Sequence, residues 1–373
     1  MKISKLKLVC FRNYANTTVL FDDKMNILVG DNAQGKTNIL EAITILALTK
    51  SHRIGVNPNI IMFDKKSCKL DGVIKKDKIV SKLEVLISDE IKKLKVNGKD
   101  IKKVADYISY LNVIIFTPDD LEIIKGSPNV RRNLLNIQLS QLSNKYLNSY
   151  NEYNKLLKTR NEYLRILFNN SIADINYLDV ITDKLIEKAI IIYQIRKEYI
   201  DLINLYIDKY YNDISLDRGL IVKYVPNIIF KDFEYETIRK SLKHTFKKNY
   251  LKELNYGMTI YGPHRDDICF ELKGKDLKYY GSQGQQRLAI ISFKLSEIPI
   301  FNKYCDTNPV LLLDDIFSEL DIKKRNKLLN IINSIDIQSV ITTTDLKNIQ
   351  KKYIENASVF YVKNGLIERE GRD

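Results

Sequence analysis

Hydrophobic and polar positions alternate through the first part of the chain in the way that β-strands require. Residues 2–11 (KISKLKLVCF) and 16–21 (NTTVLF) flank the polar turn RNYA, and residues 25–29 (MNILV) form a continuous apolar run typical of a buried strand. Residues 37–51 have apolar positions at helical spacing, and the apolar run LNVIIFTP ends at Pro118. The pattern up to residue 118 therefore predicts an α/β unit.

The pattern changes between residues 130 and 210, where glycine and proline are absent and apolar residues recur every three or four positions. A first stripe contains Leu135, Leu139, Leu142, Tyr146, Tyr150, Tyr153 and Leu157. A second stripe contains Leu178, Ile181, Leu185, Ala189, Ile192, Tyr199 and Ile203. We predict two antiparallel helices joined by a turn in residues 168–177, and packing in a core is a sufficient reason for both stripes.

Strand character returns in residues 219–230, a Lys-rich amphipathic stretch follows at 236–253, and an α/β pattern resumes from residue 257. The helical segment is therefore predicted to be an insertion in a split α/β domain. The predicted divisions are an N-terminal part at 1–118, a mainly helical part at 119–250 and a C-terminal part at 251–373.

Cysteine spacing and hydropathy argue against metal-binding, disulfide-rich and membrane-spanning classes of protein. Cys10, Cys68, Cys269 and Cys305 are far apart and form no CxxC pair, which argues against a zinc site and a disulfide framework. No segment has the length and apolarity of a membrane span or a secretion signal. We expect a cytoplasmic protein with no membrane partner.

The formal net charge of +14 over 373 residues favours a polyanionic partner, because lysine and arginine near phosphates release counterions. The chain is also rich in Lys, Ile, Asn and Tyr, so an even spread of charge over solvated faces stays an alternative. Charge alone does not assign a function.

The segment GDNAQGKTN at residues 30–38 fits the phosphate-loop pattern GxxxxGK[ST], between a predicted strand and a predicted helix. Backbone N–H groups of such a loop surround phosphate oxygens, Lys36 reaches the β- and γ-phosphates, and the Thr37 hydroxyl binds Mg²⁺. The predicted ATP-binding residues of this loop are Gly30, Asp31, Asn32, Ala33, Gln34, Gly35, Lys36 and Thr37.

A second candidate site follows the apolar run VLLL at residues 310–313, which ends in Asp314 and Asp315. A phosphate-loop ATPase needs one aspartate here for the Mg²⁺ shell and gains from a second carboxylate that orients or deprotonates water. A strand that ends in a polar turn is the alternative, but the phosphate loop favours an ATPase. We predict ATP and Mg²⁺ as cofactors, with Lys36, Asp314 and Asp315 as the catalytic residues.

The segment GSQGQQR at residues 281–287 precedes an apolar stretch and is predicted to begin a helix. Its serine and glycines can present hydroxyl and backbone donors at the helix start, while a plain N-cap is the alternative.

Together these motifs resemble the ABC-type ATPases of chromosome maintenance, and in particular the RecF family of bacterial DNA repair proteins. The matching segments are FRNY, GDNAQGKTN, KSHR, FTPDDLEIIKGSPNVRR, YGPHRDD, GSQGQQR, LLLDDIFSELD and ITTTD. The resemblance implies an ABC-type P-loop ATPase head that is split in sequence by a helical domain. It also implies a homodimer that closes head to tail on two ATP molecules and opens after hydrolysis.

The resemblance assigns roles to individual residues. It implies that Thr37 and Asp314 hold Mg²⁺, that Asp315 activates water, and that Ser282 and Gly284 contact the γ-phosphate of ATP bound to the partner chain. Residues 318–321 resemble the D-loop, which crosses the dimer.

The sequence departs from most ABC ATPases in two places. Asp315 stands where a glutamate is usual, and Thr343 and Thr344 stand where a histidine is usual. An aspartate is shorter by one methylene, and a threonine cannot hold a positive charge near the γ-phosphate. We therefore expect a weak, DNA-dependent ATPase that acts more as a switch than as a motor.

Several further contacts are predicted, each with a solvated surface residue as the alternative. Arg12 or Tyr14 of FRNY is a candidate for contact with adenine. Arg53, Arg131 and Arg132 are candidates for contact with DNA phosphates; the last two open a helix, where the dipole disfavours cations.

The resemblance implies a protein that binds double-stranded DNA near junctions with single-stranded gaps and promotes loading of RecA with RecR and RecO. A scaffold that uses ATP only to dimerise is the alternative. A transporter ATPase shares these motifs, but the 131–210 insertion and the ITTTD stretch argue against it.

Overall fold

The computed structural model describes residues 1–51, 60–169 and 174–371. The chain forms two compact units. The first comprises Met1–Asp120, Lys209–Asp217 and Ile291–Asp373, and the second comprises Leu121–Asp208 and Arg218–Ile290. The domain boundaries at residues 118 and 250 stay a prediction.

The first unit contains an antiparallel six-stranded sheet in the order β2-β1-β4-β5-β6-β7. Its strands are β1 (Lys2–Phe11), β2 (Tyr14–Leu20), β4 (Ser67–Lys76), β5 (Ile79–Ser88), β6 (Lys92–Val96) and β7 (Lys99–Asp100). The predicted alternation is confirmed in β1, where Leu6 and Leu8 are buried and Lys5, Lys7 and Val9 are not. One face of this sheet therefore lies on the core.

A second six-stranded sheet carries the nucleotide motifs and has the order β15-β14-β3-β13-β12-β8. Its strands are β3 (Met25–Val29), β8 (Val113–Phe116), β12 (Val310–Leu313), β13 (Ser339–Thr343), β14 (Ser358–Lys363) and β15 (Leu366–Arg369). All but β15 are parallel, and β3, β12 and β13 are buried along their whole length. The carboxyl ends of β3, β12 and β13 meet at one edge, where ligands bind in parallel sheets.

Helix α1 (Lys36–Leu48) contributes to one core with both sheets, which explains why ten of its thirteen residues are buried. The other helices wholly in the first unit are α2 (Ala105–Ile108), α11 (Ile322–Ser334) and α12 (Lys351–Ile354). Two long helices, α6 (Ile175–Ser215) and α10 (Gln283–Cys305), begin in the second unit and end in the first.

The second unit is mainly helical, with a small antiparallel sheet in the order β11-β10-β9. Its strands are β9 (Leu220–Val225), β10 (Asp267–Leu272) and β11 (Lys275–Asp276). Its remaining helices are α3 (Glu122–Lys125), α4 (Pro128–Leu142), α5 (Asn144–Asn169), α7 (Tyr235–Lys248), α8 (Tyr250–Tyr256) and α9 (Leu277–Tyr280). No helix in the described ranges is long and apolar enough to cross a bilayer.

The predicted antiparallel helix pair is confirmed in α5 and α6. Lys188 pairs with Glu152 at 2.7 Å, and Arg160 Nε donates to Thr182 Oγ1 at 2.9 Å, so partner numbers rise on one helix as they fall on the other. The first apolar stripe is divided between two helices, because Ser143 is extended and its Oγ accepts from Tyr146 N to begin α5.

Candidate nucleotide-binding site

The loop between β3 and α1 requires both of its glycines. A Cβ on Gly30 would lie 2.3 Å from the Val362 carbonyl oxygen. Gly35 has φ +112°, and a Cβ there would lie 2.5 Å from Asn13 Nδ2 and 2.8 Å from the Tyr14 hydroxyl. The glycines therefore allow a tightly wound loop with its backbone at the carboxyl edge of the sheet.

Lys36 is buried under this loop. Its Nζ donates to the main-chain oxygens of Gly30 at 2.6 Å and Asp31 at 2.7 Å. Burial lowers the pKa of Lys36, and the nearby charges of Asp315, Asp314 and Asp31 oppose that shift. The loop thus holds the cation by carbonyl dipoles, which phosphate oxygens can replace.

Two residues that are 277 positions apart meet beside the loop. Thr37 Oγ1 donates to Asp314 Oδ1 at 2.8 Å, and Thr342 Oγ1 donates to the same oxygen at 2.8 Å. Mg²⁺ prefers oxygen ligands and usually takes only one or two from the protein, with phosphate and water completing the shell. Thr37 and Asp314 therefore fit a magnesium site that forms with ATP.

Asp315 has a left-handed backbone conformation with φ 44°, which residues other than glycine rarely adopt. Its N–H donates to Thr342 Oγ1 at 2.9 Å, and its carbonyl accepts from Ser318 Oγ at 2.8 Å. These contacts hold the strained turn, and the half-buried Asp315 directly follows Asp314. The geometry suits a group that orients water.

Two residues of the FRNY turn donate hydrogen bonds to the main chain of the phosphate loop. Tyr14 is fully buried and donates to Gly35 O at 3.1 Å, so its predicted contact with adenine is wrong. Asn13, which the sequence reasoning missed, donates through Nδ2 to Gln34 O at 3.0 Å. Arg12 forms a two-point ion pair with Glu41, at 2.7 and 3.0 Å, and its contact with adenine stays a prediction.

Ser282 and Gly284 open helix α10 in the second unit, as predicted. Ser282 N donates to Gln285 Oε1 at 2.9 Å and Gln285 N donates to Ser282 Oγ at 3.3 Å, which is a capping box. The N-cap alternative is therefore realised. Ser282 and Gly284 are also exposed, and a Cβ on Gly284 would meet nothing within 4 Å among the described residues. A role toward ATP stays a prediction.

The threonines at the usual histidine position differ in exposure. Thr343 is buried and its hydroxyl closes a local turn with the main chain of Asp345, whereas Thr344 is exposed. In the D-loop segment, Asp321 caps α11 by accepting from Lys324 N at 2.9 Å. One D-loop residue is thus fixed by helix geometry.

The three candidate DNA contacts have different outcomes. Arg53 lies outside the described residues. Arg131 is 5 % exposed and forms a two-point ion pair with Asp267, at 2.6 and 2.8 Å, while donating to main-chain oxygens at the end of α3, including Gly126 O at 3.0 Å. This burial contradicts a DNA contact for Arg131, because the carboxylate and the helix C-terminus hold its charge. Arg132 is half-buried, and its DNA contact stays a prediction.

Sequence comparison gives a family match over nearly the whole chain. Residues 2–368 match the family described as RecF/RecN/SMC N terminal domain. The chain is 37% identical over 373 residues to the DNA replication and repair protein RecF of Halalkalibacterium halodurans, covering 100% of both chains. It is 36% identical over 372 residues to the protein of the same name from Listeria monocytogenes, covering 99% of this chain and 100% of the relative.

Structure comparison agrees. A structure of the recombination mediator protein RecF with ATP, in the RecFOR pathway, has a TM-score of 0.90 and 30% identity, and the match covers 99% of this chain and 97% of that one. The Smc head domain of Pyrococcus furiosus, at a TM-score of 0.54 and 15% identity, shares the fold. The predicted ABC-type P-loop head with a helical insertion is therefore confirmed, and the chain belongs to the RecF family of the RecF/RecN/SMC proteins.

Proposed function

We propose that this chain is an ATP-dependent, Mg²⁺-dependent DNA-binding ATPase of DNA repair. The observation that carries the proposal is the 2.8 Å contact between Thr37 and Asp314. It joins the phosphate loop to the carboxylate that ends β12, and it assembles the two protein ligands that a Mg²⁺–ATP complex requires.

Each residue of the site has a distinct task. Lys36 exchanges its carbonyl partners for β- and γ-phosphate oxygens, and Thr37 and Asp314 hold Mg²⁺. The metal neutralises charge that develops on the phosphates. Asp315 orients the attacking water and accepts its proton.

A dimer completes the site in this proposal. Ser282 and Gly284 present a hydroxyl and backbone N–H groups to the γ-phosphate of ATP bound by the partner chain. Their exposure supports this role, and so does the lack of any intrachain reason for glycine at position 284. A glycine costs about 1 kcal/mol in a helix relative to alanine, so close approach of another molecule accounts for it.

The DNA partner is proposed from charge and from the relatives. The chain carries a net charge of +14, and its curated relatives are named DNA replication and repair proteins. The related RecF structure is assigned to the RecFOR pathway. We therefore propose that the chain binds double-stranded DNA beside single-stranded gaps and supports RecA loading with RecR and RecO.

A second candidate is an ATP-gated scaffold with negligible turnover. The observation that favours it is the shorter carboxylate at Asp315, together with neutral Thr343 and Thr344 at the usual histidine position. Phosphate release measured with and without gapped duplex DNA separates the two candidates, because a DNA-dependent ATPase accelerates with DNA and a scaffold does not.

The proposal is tested by sedimentation velocity with Mg²⁺ and ATP, in the presence and absence of gapped duplex. We expect ATP-dependent dimers that co-sediment with DNA. Lys36→Ala removes ATP binding, whereas Asp315→Asn keeps binding and dimerisation but stops hydrolysis. Equal loss of nucleotide affinity in both variants would contradict the assigned roles.

A further inference from the structure

In the second unit, an arginine of one motif contacts the main chain beside an arginine of another motif that is far away in sequence. Arg132 belongs to GSPNVRR and Arg265 to YGPHRDD. Arg132 Nη1 donates at 2.7 Å to the carbonyl oxygen of Asp266, the residue next to Arg265. Arg265 is exposed and Arg132 is half-buried.

The carboxylates near these two arginines already form ion pairs with other arginines. Asp267 is bound at two points by Arg131, and Asp266 is fully buried against Arg196 at 2.9 Å. Across residues 1–51, 60–169 and 174–371, no carboxylate forms an ion pair with Arg132 or Arg265.

The pair is electrostatically unfavourable without an anion. Burial lowers the pKa of Arg132, and the charges of Arg196 and Arg265 lower it further, while Asp266 and Asp267 oppose them. The Arg265 charge therefore adds to the cost of a charged, partly buried Arg132. An anion bound to both relieves this repulsion.

Arg132 is held through its side chain and Arg265 through its main chain. The Arg132 guanidinium is held by Asp266 O and by Asn129 Oδ1 at 2.9 Å, and among the described residues three of its five N–H groups have no protein acceptor. Arg265 closes a 3₁₀ turn through its N–H to Gly262 O at 2.9 Å. The turn rests on Asp266, whose side chain accepts from Asn227 N at 2.9 Å and from Tyr224 and Arg196.

We propose that Arg132 and Arg265 together bind a phosphate of the DNA backbone. The inference rests on the proposed DNA-binding function and names a contact for it. A planar guanidinium matches phosphate oxygens at two points, and two arginines bring two charges to the backbone without reading bases. The expected contribution is the same for every duplex sequence.

The experiment measures the dissociation constant for fluorescent gapped duplex between about 50 and 200 mM NaCl, with Mg²⁺ and ATP. We expect Arg265→Gln to weaken binding roughly tenfold at the middle of this range and to reduce the slope of log K against log salt by about 1. Arg132→Gln should act similarly. Arg239→Gln on α7, whose side chain is 42% exposed, is the matched control and should change neither quantity.

ATP binding and ATP-dependent sedimentation of each variant identify the source of the phosphate. Both should match the wild type, because the proposed ligand is DNA. If Arg265→Gln loses ATP-dependent dimers while monomer contacts with DNA persist, the phosphate belongs to nucleotide and the inference is wrong.

Arg265→Gln decides the outcome, because within the described part of the chain the Arg265 side chain makes only a 3.9 Å contact with Met258 Sδ, and its loss should not disturb folding. An unchanged salt slope in this variant, with normal DNA binding by the wild type, would overturn the inference and leave the proposed function standing. Absence of DNA binding by the wild-type protein would overturn both.

Discussion

Charged side chains are buried in two regions of this chain, and the two regions compensate the charges differently. In the nucleotide site, Lys36 is held by main-chain oxygens, and no carboxylate in the described part of the chain lies within ion-pair distance of it. In the second unit, Arg160 pairs with Glu253 at 2.7 Å and Arg196 pairs with Asp266 at 2.9 Å. The first arrangement can exchange its partners, and the second cannot without leaving a buried charge unpaired.

The difference separates charges that serve ligands from charges that serve the fold. Arg160 also donates to Thr182 and Thr259 and stacks on Phe246 at 4.7 Å, so each part of its guanidinium has a partner. Burial lowers the pKa of Lys36, and the nearby charges of Asp315, Asp314 and Asp31 only partly offset that shift. A buried cation whose charge is only partly compensated by its neighbours is typical of a ligand-binding or catalytic site.

The largest expected effect comes from breaking the complete pair. Arg160→Met leaves the Glu253 carboxylate buried without its cation and should lower the free energy of unfolding by about 3–5 kcal/mol. Urea denaturation measures it. The double variant Arg160→Met/Glu253→Leu should recover much of this loss, and a single variant within about 1 kcal/mol of wild type would contradict the structural role.

The second effect is a pH dependence from His264, which lies in the same unit. Its Nε2 donates to Thr259 O at 3.1 Å, and in the neutral ring its Nδ1 accepts from the Tyr153 hydroxyl. Burial lowers the pKa of His264 from 6.5 to about 4. The unfolded chain therefore binds more protons between these values, and stability falls as pH drops from 6.5 towards 4, by up to about 3 kcal/mol.

Urea denaturation at pH 7 and pH 4.5 measures this loss. Because carboxylates also titrate in that range, His264→Gln is the comparison. The variant should lose clearly less stability than the wild type on acidification. An identical pH dependence in both proteins would show that His264 does not contribute.

The third prediction replaces the buried cation of the nucleotide site by methionine, as Arg160→Met does in the second unit. Lys36→Met removes a cation that has no carboxylate partner, so unfolding free energy should stay within about 1 kcal/mol of the wild type. ATP affinity should nevertheless fall at least about a hundredfold, or about 2.7 kcal/mol. Isothermal titration and urea denaturation give both numbers. A stability loss as large as that of Arg160→Met would remove the distinction between the regions.

The smallest expected effect concerns Gly284. A Cβ there meets nothing within 4 Å, so Gly284→Ala should stabilise the monomer by about 0.5–1 kcal/mol through helix propensity. ATP-dependent dimers should weaken, because the added methyl group obstructs the partner. Thermal unfolding without nucleotide and sedimentation with ATP measure the two effects. Stronger dimers in this variant would argue against close approach at Gly284.

The place of the candidate nucleotide site could be predicted from sequence because each of its motifs is contiguous and follows a buried strand. The order of strand, glycine loop and helix fixes where residues 30–37 lie, and parallel pairing brings Asp314 to the same edge. Arg131 could not be assigned in this way, since its partner Asp267 is 136 residues away and nothing local signals the pair. The end of α4 at Ser143 could not be predicted either, because the apolar spacing continues through that residue.

The composite ATP site is tested most directly by mixing two inactive variants. Ser282→Arg should bind ATP through its own loop but form no dimers, and Lys36→Ala should bind no ATP. A mixed dimer has one site in which an intact loop faces an intact Ser282, while the other site carries both defects. Sedimentation velocity with ATP and Mg²⁺ should therefore show dimers in the mixture that neither variant forms alone. Absence of dimers in the mixture, or loss of ATP binding by the Ser282→Arg monomer, would contradict a site shared between two chains.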